Sequence, residues 1–295
     1  MSPGFLPDCQ KLSDKKLKMK FKITTLVENS VAQTGKQLIG EHGLSFHIET
    51  ETNKILFDTG QNLAISNNAK VLGIDLSQID TVVLSHGHYD HTGGLKSLVA
   101  CNGDFTIYAH PAVFGHKLKS TDGHFKYIGI PLEKQYLEAK GIKLKLTRHP
   151  AQVTPGIMAT GEIPLENDFE ELEPDFYLRK ENQIMADTLA DDQALILETT
   201  EGITVLLGCS HRGVINTLNH VVNLTGKKGI SAMLGGLHLG KASDSKLKQI
   251  MDSLHEFDLE KIGVGHCTST RALMALSSEF PNKVFLNTVG NVISL

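Results

Sequence analysis

Cysteine is scarce: the 295 residues hold four, Cys9, Cys101, Cys209 and Cys267, widely spaced and without a CxxC pair. That spacing gives neither a disulfide framework nor an iron–sulfur ligand pattern, so a reducing, cytoplasmic compartment is expected. Long apolar runs are missing too. The longest, such as Thr81 to Leu84 and Ile203 to Leu207, fall far short of the roughly 20 residues of a membrane helix, which argues against a membrane partner. Charge of one sign is also lacking: a net charge of -4 offers no general attraction to nucleic acid or an anionic bilayer. The opening residues carry a lysine-rich stretch, Lys11 to Lys20, where a secretory signal would carry an apolar core. Residues 1–19 therefore read as a charged N-terminal extension and 20–295 as one domain, with no feature that assigns an oligomeric state.

What is present is an ordinary globular composition, 40% hydrophobic and 21% charged, enough for a packed core. Phe21 to Val27 is rich in β-branched residues, and Leu44 to Glu49 with Lys54 to Asp58 reads as two strands around a polar turn. Asn62 to Leu72 has helical spacing, with Gly73 placed to end it. Thr81 to Ser85 is almost wholly apolar and so buried on both faces. Phe105 to Ala109 predicts another strand, and 111–190 reads as helices and loops covering the sheet. Its acidic stretch, with Asp168, Glu170, Glu171 and Glu173, lacks the glycine of a calcium loop and reads as solvated. Lys117 and Lys119 beside His116 make a slight basic cluster that fits an anionic substrate and a solvated face equally well.

The last third repeats the logic of the first. A hairpin, Ala194 to Glu198 with Ile203 to Leu207, ends in GCSHRG. Helices at Val214 to Leu224 and Lys246 to Phe257 alternate with strands at Ile230 to Leu234 and Ile262 to Val264, which run into GGLHLG and GHCTST. Two β-rich halves flanked by helices predict an α/β (α+β) fold, a four-layer αββα sandwich.

The chemistry concentrates at His86, His88, Asp90 and His91. Their spacing fits neither a helix face nor a strand face, so a turn at a strand end must bring them together. Neutral imidazoles with a carboxylate suit zinc, iron or manganese, and packed histidines would repel one another if protonated. His211, His238 and His266 stand at three further strand ends and could each close the site. The other histidines, His47, His110, His116, His124, His149, His220 and His255, have no ligand spacing and read as surface or capping residues.

The HxHxDH pattern, His86-Gly87-His88-Tyr89-Asp90-His91, preceded by the strand-end FDTG at Phe57 to Gly60, resembles the metallo-β-lactamase superfamily over nearly all of the chain from about Lys20. The resemblance implies two divalent metal ions, zinc ahead of iron or manganese: His86 and His88 on the first, Asp90 and His91 on the second, and Asp58 orienting a ligand imidazole. By chain order His266 matches the last ligand histidine, on metal two. Where many members carry a bridging aspartate, this chain has Gly208-Cys209-Ser210-His211. His211 is therefore expected to complete metal one, with Cys209 either near or between the metals or a small buried residue. Positions 209 and 211 of an extended strand end would face the same side.

The superfamily pattern gives His238 no metal role, so a proton donor or substrate contact is expected, with Gly235, Gly236 and Gly240 letting a ligand approach the backbone. EHGLS at Glu41 to Ser45, together with GCSHRGVIN, GGLHL and HCTS, resembles the branch of synthases that join a pterin-methyl group to an aminobenzene sugar phosphate, with Glu41 and His42 on the pocket rim. Metal-dependent hydrolysis or group transfer on a small anionic substrate, phosphate- or pterin-bearing, is the function implied, with Asp90 and His238 as its catalytic residues. A non-haem di-iron redox module and a metal-binding protein without turnover would use the same ligands.

Overall fold

The computed structural model describes residues 20–31 and 35–295, so the extension expected over 1–19 lies outside the described residues. The first part of the chain forms β1 (Lys22–Val27), β2 (Ser45–Glu49), β3 (Lys54–Phe57), helix α1 (Ala64–Leu72), β4 (Thr81–Val83), α2 (Tyr89–Thr92), α3 (Leu95–Cys101) and β5 (Thr106–Ala109). The middle forms β6 (His116–Thr121), β7 (His124–Tyr127), α4 (Lys134–Ala139), β8 (Lys143–Leu146), β9 (Ala151–Thr154), β10 (Ile157–Ala159), β11 (Phe176–Lys180) and β12 (Gln183–Ala186). The last part forms β13 (Leu195–Thr199), β14 (Gly202–Leu207), α5 (Val214–Thr225), β15 (Ile230–Gly235), α6 (Asp244–Leu254), β16 (Lys261–Val264), α7 (Thr270–Glu279), β17 (Val284–Leu286) and β18 (Val292–Ser294).

Two seven-stranded sheets result, ordered β18-β1-β2-β3-β4-β5-β8 and β17-β16-β15-β14-β13-β10-β9. Period-two alternation lets each strand serve two cores. Ile55 and Phe57 of β3 join Leu195, Leu197 and Leu206 between the sheets. Leu56 turns the other way, onto Ala64, Ile65 and Ala69 of α1 and Leu95 and Leu98 of α3. On the second sheet Ile203, Val205 and Leu207 face Val214, Leu218 and Val221 of α5 and Leu247, Ile250 and Leu254 of α6. These helical positions repeat at three and four residues, the spacing that gives a helix one apolar stripe. The expected αββα sandwich is the observed architecture. No described helix is long and apolar enough to cross a membrane.

The interval 111–190 corrects the expectation of helices and loops. It contributes one α-helix, α4, and seven strands. β8 joins the first sheet, β9 and β10 the second, and β12-β11-β6-β7 form a separate four-stranded sheet. Lys117 on β6 is fully buried, neither on a solvated face nor open to a substrate, and its Nζ lies 2.8 Å from Asp187 and 2.7 Å from Asp191. The acidic stretch differs as well. Glu170 is buried, and its carboxylate accepts from the backbone N–H groups of Ile215 and Asn216 at 2.9 and 2.8 Å, so it caps the start of α5.

Candidate metal centre

The ligand-type residues follow the carboxyl ends of β3, β4, β14, β15 and β16. β3 runs into Asp58, fully buried at φ 60°. Its carboxylate accepts from Ser85 N–H at 2.7 Å, from Ser85 Oγ at 2.7 Å and from His91 Nδ1 at 2.7 Å. After β4 the chain turns through Gly87, where a Cβ would stand 2.2 Å from the Val113 carbonyl, so only glycine fits. The Gly87 N–H donates to Asp191 Oδ2 at 2.7 Å, and that carboxylate also holds Lys117. A buried ion pair from the third sheet thus braces the HGHYDH turn.

Three imidazoles are oriented by the partner of their second nitrogen. Because Ser85 Oγ donates to Asp58, His86 Nδ1, 2.9 Å from the same oxygen, is the donor to it. His91 Nδ1 donates to Asp58, and His266 Nδ1 donates to Asn29 Oδ1 at 3.1 Å. His86 and His266 therefore present the Nε2 lone pair inward, and His91 does so once a cation replaces its Nε2 proton. His91 Nε2 lies 3.1 Å from His266 Nε2 and 3.1 Å from Cys209 Sγ, and His86 Nε2 lies 3.0 Å from His88 Nδ1. Lone pairs facing one another at these distances repel unless a proton or a cation stands between them.

Gly208 leads into the second half of the cluster. A Cβ there would meet Ser85 Oγ at 2.2 Å. Cys209 and His211 both face the centre, as strand alternation suggested, yet the backbone between them is not extended: Ser210 has φ 57° and its Oγ donates to the Gly236 carbonyl at 2.9 Å. Both ring nitrogens of His211 are buried without a hydrogen-bond partner among the described residues. His266 is held by the loop after β1: its N–H donates to Glu28 and its ring to Asn29. Asp90 Oδ2 lies 3.5 Å from His266 Nε2 and 3.9 Å from His91 Nε2.

Six of the seven predicted ligands fall into overlapping donor groups, each with ligand atoms within 4.8 Å of one another: His86, Cys209 and His211; His91, Cys209 and His266; His42, Asp90 and His266; the seventh, His88, is in none of them and meets the cluster through Nδ1, 3.0 Å from His86 Nε2. His42, expected on the rim, reaches Asp90 Oδ2 at 3.2 Å. Glu41 does not face the centre: its carboxylate accepts from Asn62 N–H at 2.8 Å and Ala64 N–H at 3.4 Å, at the start of α1. His238 stands beside His211, with ring centroids 4.2 Å apart, and its Nε2 is 3.1 Å from Glu173. Glu28, Asn29, Glu173, Asp191 and Cys267 were not anticipated as parts of this neighbourhood.

Electrostatics prepare these groups for a cation. Burial, reinforced by neighbouring imidazoles, holds His86 and His211 well below the usual histidine range. Burial and then Lys117 bring His88 down to about 3, and burial brings His266 to about 4. All four are neutral donors at neutral pH. Burial alone would raise Asp90, but His91, His42 and His266 hold it well below the carboxylate range. Burial opposes charge on His91, yet Asp58 and Asp90 lift it to about 9, so in the bare cluster His91 carries the compensating proton. Burial pushes the Cys209 thiol well above its usual range, and coordination would deprotonate it. Converging neutral imidazoles, one carboxylate, one sulfur and orphaned ring nitrogens fit divalent metal ions, with zinc suited to the mixed donors.

Comparison with known proteins agrees with this geometry. A family model described as the metallo-beta-lactamase superfamily matches residues 39–176. The chain is 34% identical over 270 residues, 88% of its own length and 91% of the relative's, to the 7,8-dihydropterin-6-methyl-4-(beta-D-ribofuranosyl)-aminobenzene-5'-phosphate synthase of Methanocaldococcus jannaschii. Among solved structures it is similar to Tm1679, a metal-dependent hydrolase of the beta-lactamase superfamily, at a TM-score of 0.79 and 27% identity, covering 92% of this chain and 98% of that one. YhfI from Bacillus subtilis, a metallo-beta-lactamase fold protein, shares the fold at a TM-score of 0.58 and 12% identity, covering 92% of this chain and 99% of that one. With a histidine-rich centre at the ends of two packed sheets and a relative matched along most of both chains, this chain belongs to the metallo-β-lactamase superfamily.

Proposed function

We propose that the protein is a binuclear-metal enzyme that hydrolyses, or transfers a group on, a small anionic substrate bearing a phosphate or a pterin. The observation that carries this reading is the convergence of donors from both sheets: His91 Nε2 lies 3.1 Å from both Cys209 Sγ and His266 Nε2, and His86 Nε2 lies 3.0 Å from His88 Nδ1. In this reading His86, His88 and His211 hold one ion, Asp90, His91 and His266 the other, and the Cys209 sulfur lies between them. The name of the Methanocaldococcus jannaschii relative supports the substrate class.

When bound, the two ions supply Lewis acidity toward the electrophile and toward an attacking water. The chain's own groups set the rest. Asp58, Ser85 and Asn29 fix the ring orientations of His91, His86 and His266. Asp90 keeps negative charge beside the second position. Proton delivery is assigned to His42, which is half exposed and donates to Asp90 from the solvent side. His238, expected from the sequence in this role, has Nε2 engaged by Glu173.

The test is elemental analysis and an absorption spectrum of anaerobically purified protein, followed by an assay on a chromogenic phosphodiester. At least two metal equivalents in colourless protein, with hydrolysis lost on chelation and restored by zinc, is the expected result. Iron with a redox-sensitive visible band and no hydrolysis would favour electron transfer instead.

A further inference from the structure

We infer that Cys209, Cys267 and the Nδ1 nitrogen of His238 form a third cation position beside the two already described, suited to a thiophilic divalent ion such as zinc. The two sulfurs and the ring nitrogen lie within 4.8 Å of one another. Donors about 2.0–2.3 Å from one tetrahedral zinc are themselves about 3.3–3.8 Å apart, so the donors need draw together by about 1 Å at most.

The arrangement of His238 is that of a ligand. Its Nε2 meets Glu173 Oε1 at 3.1 Å, which keeps a proton on Nε2 and leaves Nδ1 as the end that can be given to a cation. Nδ1 is buried and faces the Cys267 sulfur, and a cation there would take the place of the proton that nitrogen and sulfur otherwise share. Glu173 is in turn held by Lys241 at 3.2 Å, so the carboxylate that fixes the ring is itself fixed.

The backbone is shaped around the Cys267 sulfur. The His238 N–H donates to Sγ at 3.3 Å, from a residue whose φ is 49°. At Gly236 a Cβ would stand 2.6 Å from the same sulfur, so this turn admits Cys267 only because it carries glycine there. Two thiolates and a neutral imidazole balance one divalent ion. Cys209 belongs to this group and to both groups that meet the HGHYDH donors, so its sulfur couples the third position to the other two. A histidine that gives Nδ1 to a cation and Nε2–H to Glu173 has no proton for substrate, in keeping with proton delivery by His42.

The experiment is an anaerobic zinc titration of the full chain, with equivalents counted after desalting and Cys267 alkylation mapped by mass spectrometry with and without zinc. Wild type is expected to bind three equivalents and to protect Cys267 from alkylation. Cys267→Ser and His238→Ala are each expected to bind two. Glu173→Gln leaves every donor in place and is expected to weaken the third equivalent about 10–100-fold without touching the others. Two equivalents in wild type, or undiminished binding in both Cys267→Ser and His238→Ala, would overturn the inference. So would a Cys267 that zinc leaves freely alkylated, which would point to a plain thiolate–imidazolium pair.

Discussion

The two large sheets meet at one centre but furnish it differently. The first delivers His86, His88, Asp90 and His91 in a single turn after β4, all nitrogen and oxygen donors. The second delivers its donors singly or in pairs from three successive parallel strands: Cys209 and His211 after β14, His238 after β15, His266 and Cys267 after β16. In both, the groups lie beyond the carboxyl ends of parallel strands, where α/β sheets commonly place sites. The first sheet thus concentrates the site in one loop that must be braced from outside, by Asp58 beneath it and by Asp191 and Lys117 beside it. The second spreads the site along a sheet edge, where each strand end is fixed by its own hydrogen bonds. Among the described residues, sulfur enters only from that side.

If the first loop is the concentrated part, breaking it should cost most. His86→Ala combined with His88→Ala is expected to remove most bound metal and abolish turnover in a chain that stays folded, checked by elemental analysis and circular dichroism. His211→Ala, a loss from the spread side, should cost about one equivalent. Asp90→Asn keeps the size of the side chain but gives up its charge, and is expected to lower turnover by about 10²–10⁴-fold while weakening the second metal.

The bracing can be tested apart from the ligands. Lys117→Met leaves Asp187 and Asp191 buried without their cation and is expected to destabilise the fold by about 3–5 kcal/mol, read from denaturant unfolding.

A smaller effect concerns His47 on β2, far from any ligand role. Burial lowers its pKa from 6.5 to about 4. The folded chain therefore holds it neutral where the unfolded chain takes up a proton. Its contribution to stability is full above pH 6.5 and is lost as pH falls through that value toward 4, by about 3 kcal/mol in all. His47→Leu should flatten that acid limb relative to wild type.

The smallest effect belongs to the second sheet's helix layer. Glu170→Gln removes the carboxylate from the start of α5 and should cost about 1 kcal/mol with metal content unchanged.

The same contrast explains what the sequence made legible. Six residues within one turn, HGHYDH, could be read as a centre without any knowledge of the fold, and the strands leading to it were visible through their apolar runs. His211 and His266 were reachable only as polar residues at strand ends. Cys267, immediately after His266, gave no pattern, because its partners Cys209 and His238 come from other strands. Glu28 and Asn29 orient His266 from more than two hundred residues away. The third sheet was misread for a physical reason: β7 and β12 are exposed along their whole length, so they have no inside and outside to alternate. Lys117 looked like a surface charge because the two aspartates that bury it arrive about seventy residues later.

X-ray absorption of the zinc-loaded protein tests the central claim most directly, since it reads donor type and metal spacing together. The account predicts nitrogen and oxygen scatterers at about 2.0–2.1 Å, sulfur at about 2.3 Å that diminishes in Cys209→Ser, and a metal–metal vector of about 3.5–4 Å. A spectrum with neither sulfur nor a metal–metal vector would contradict it.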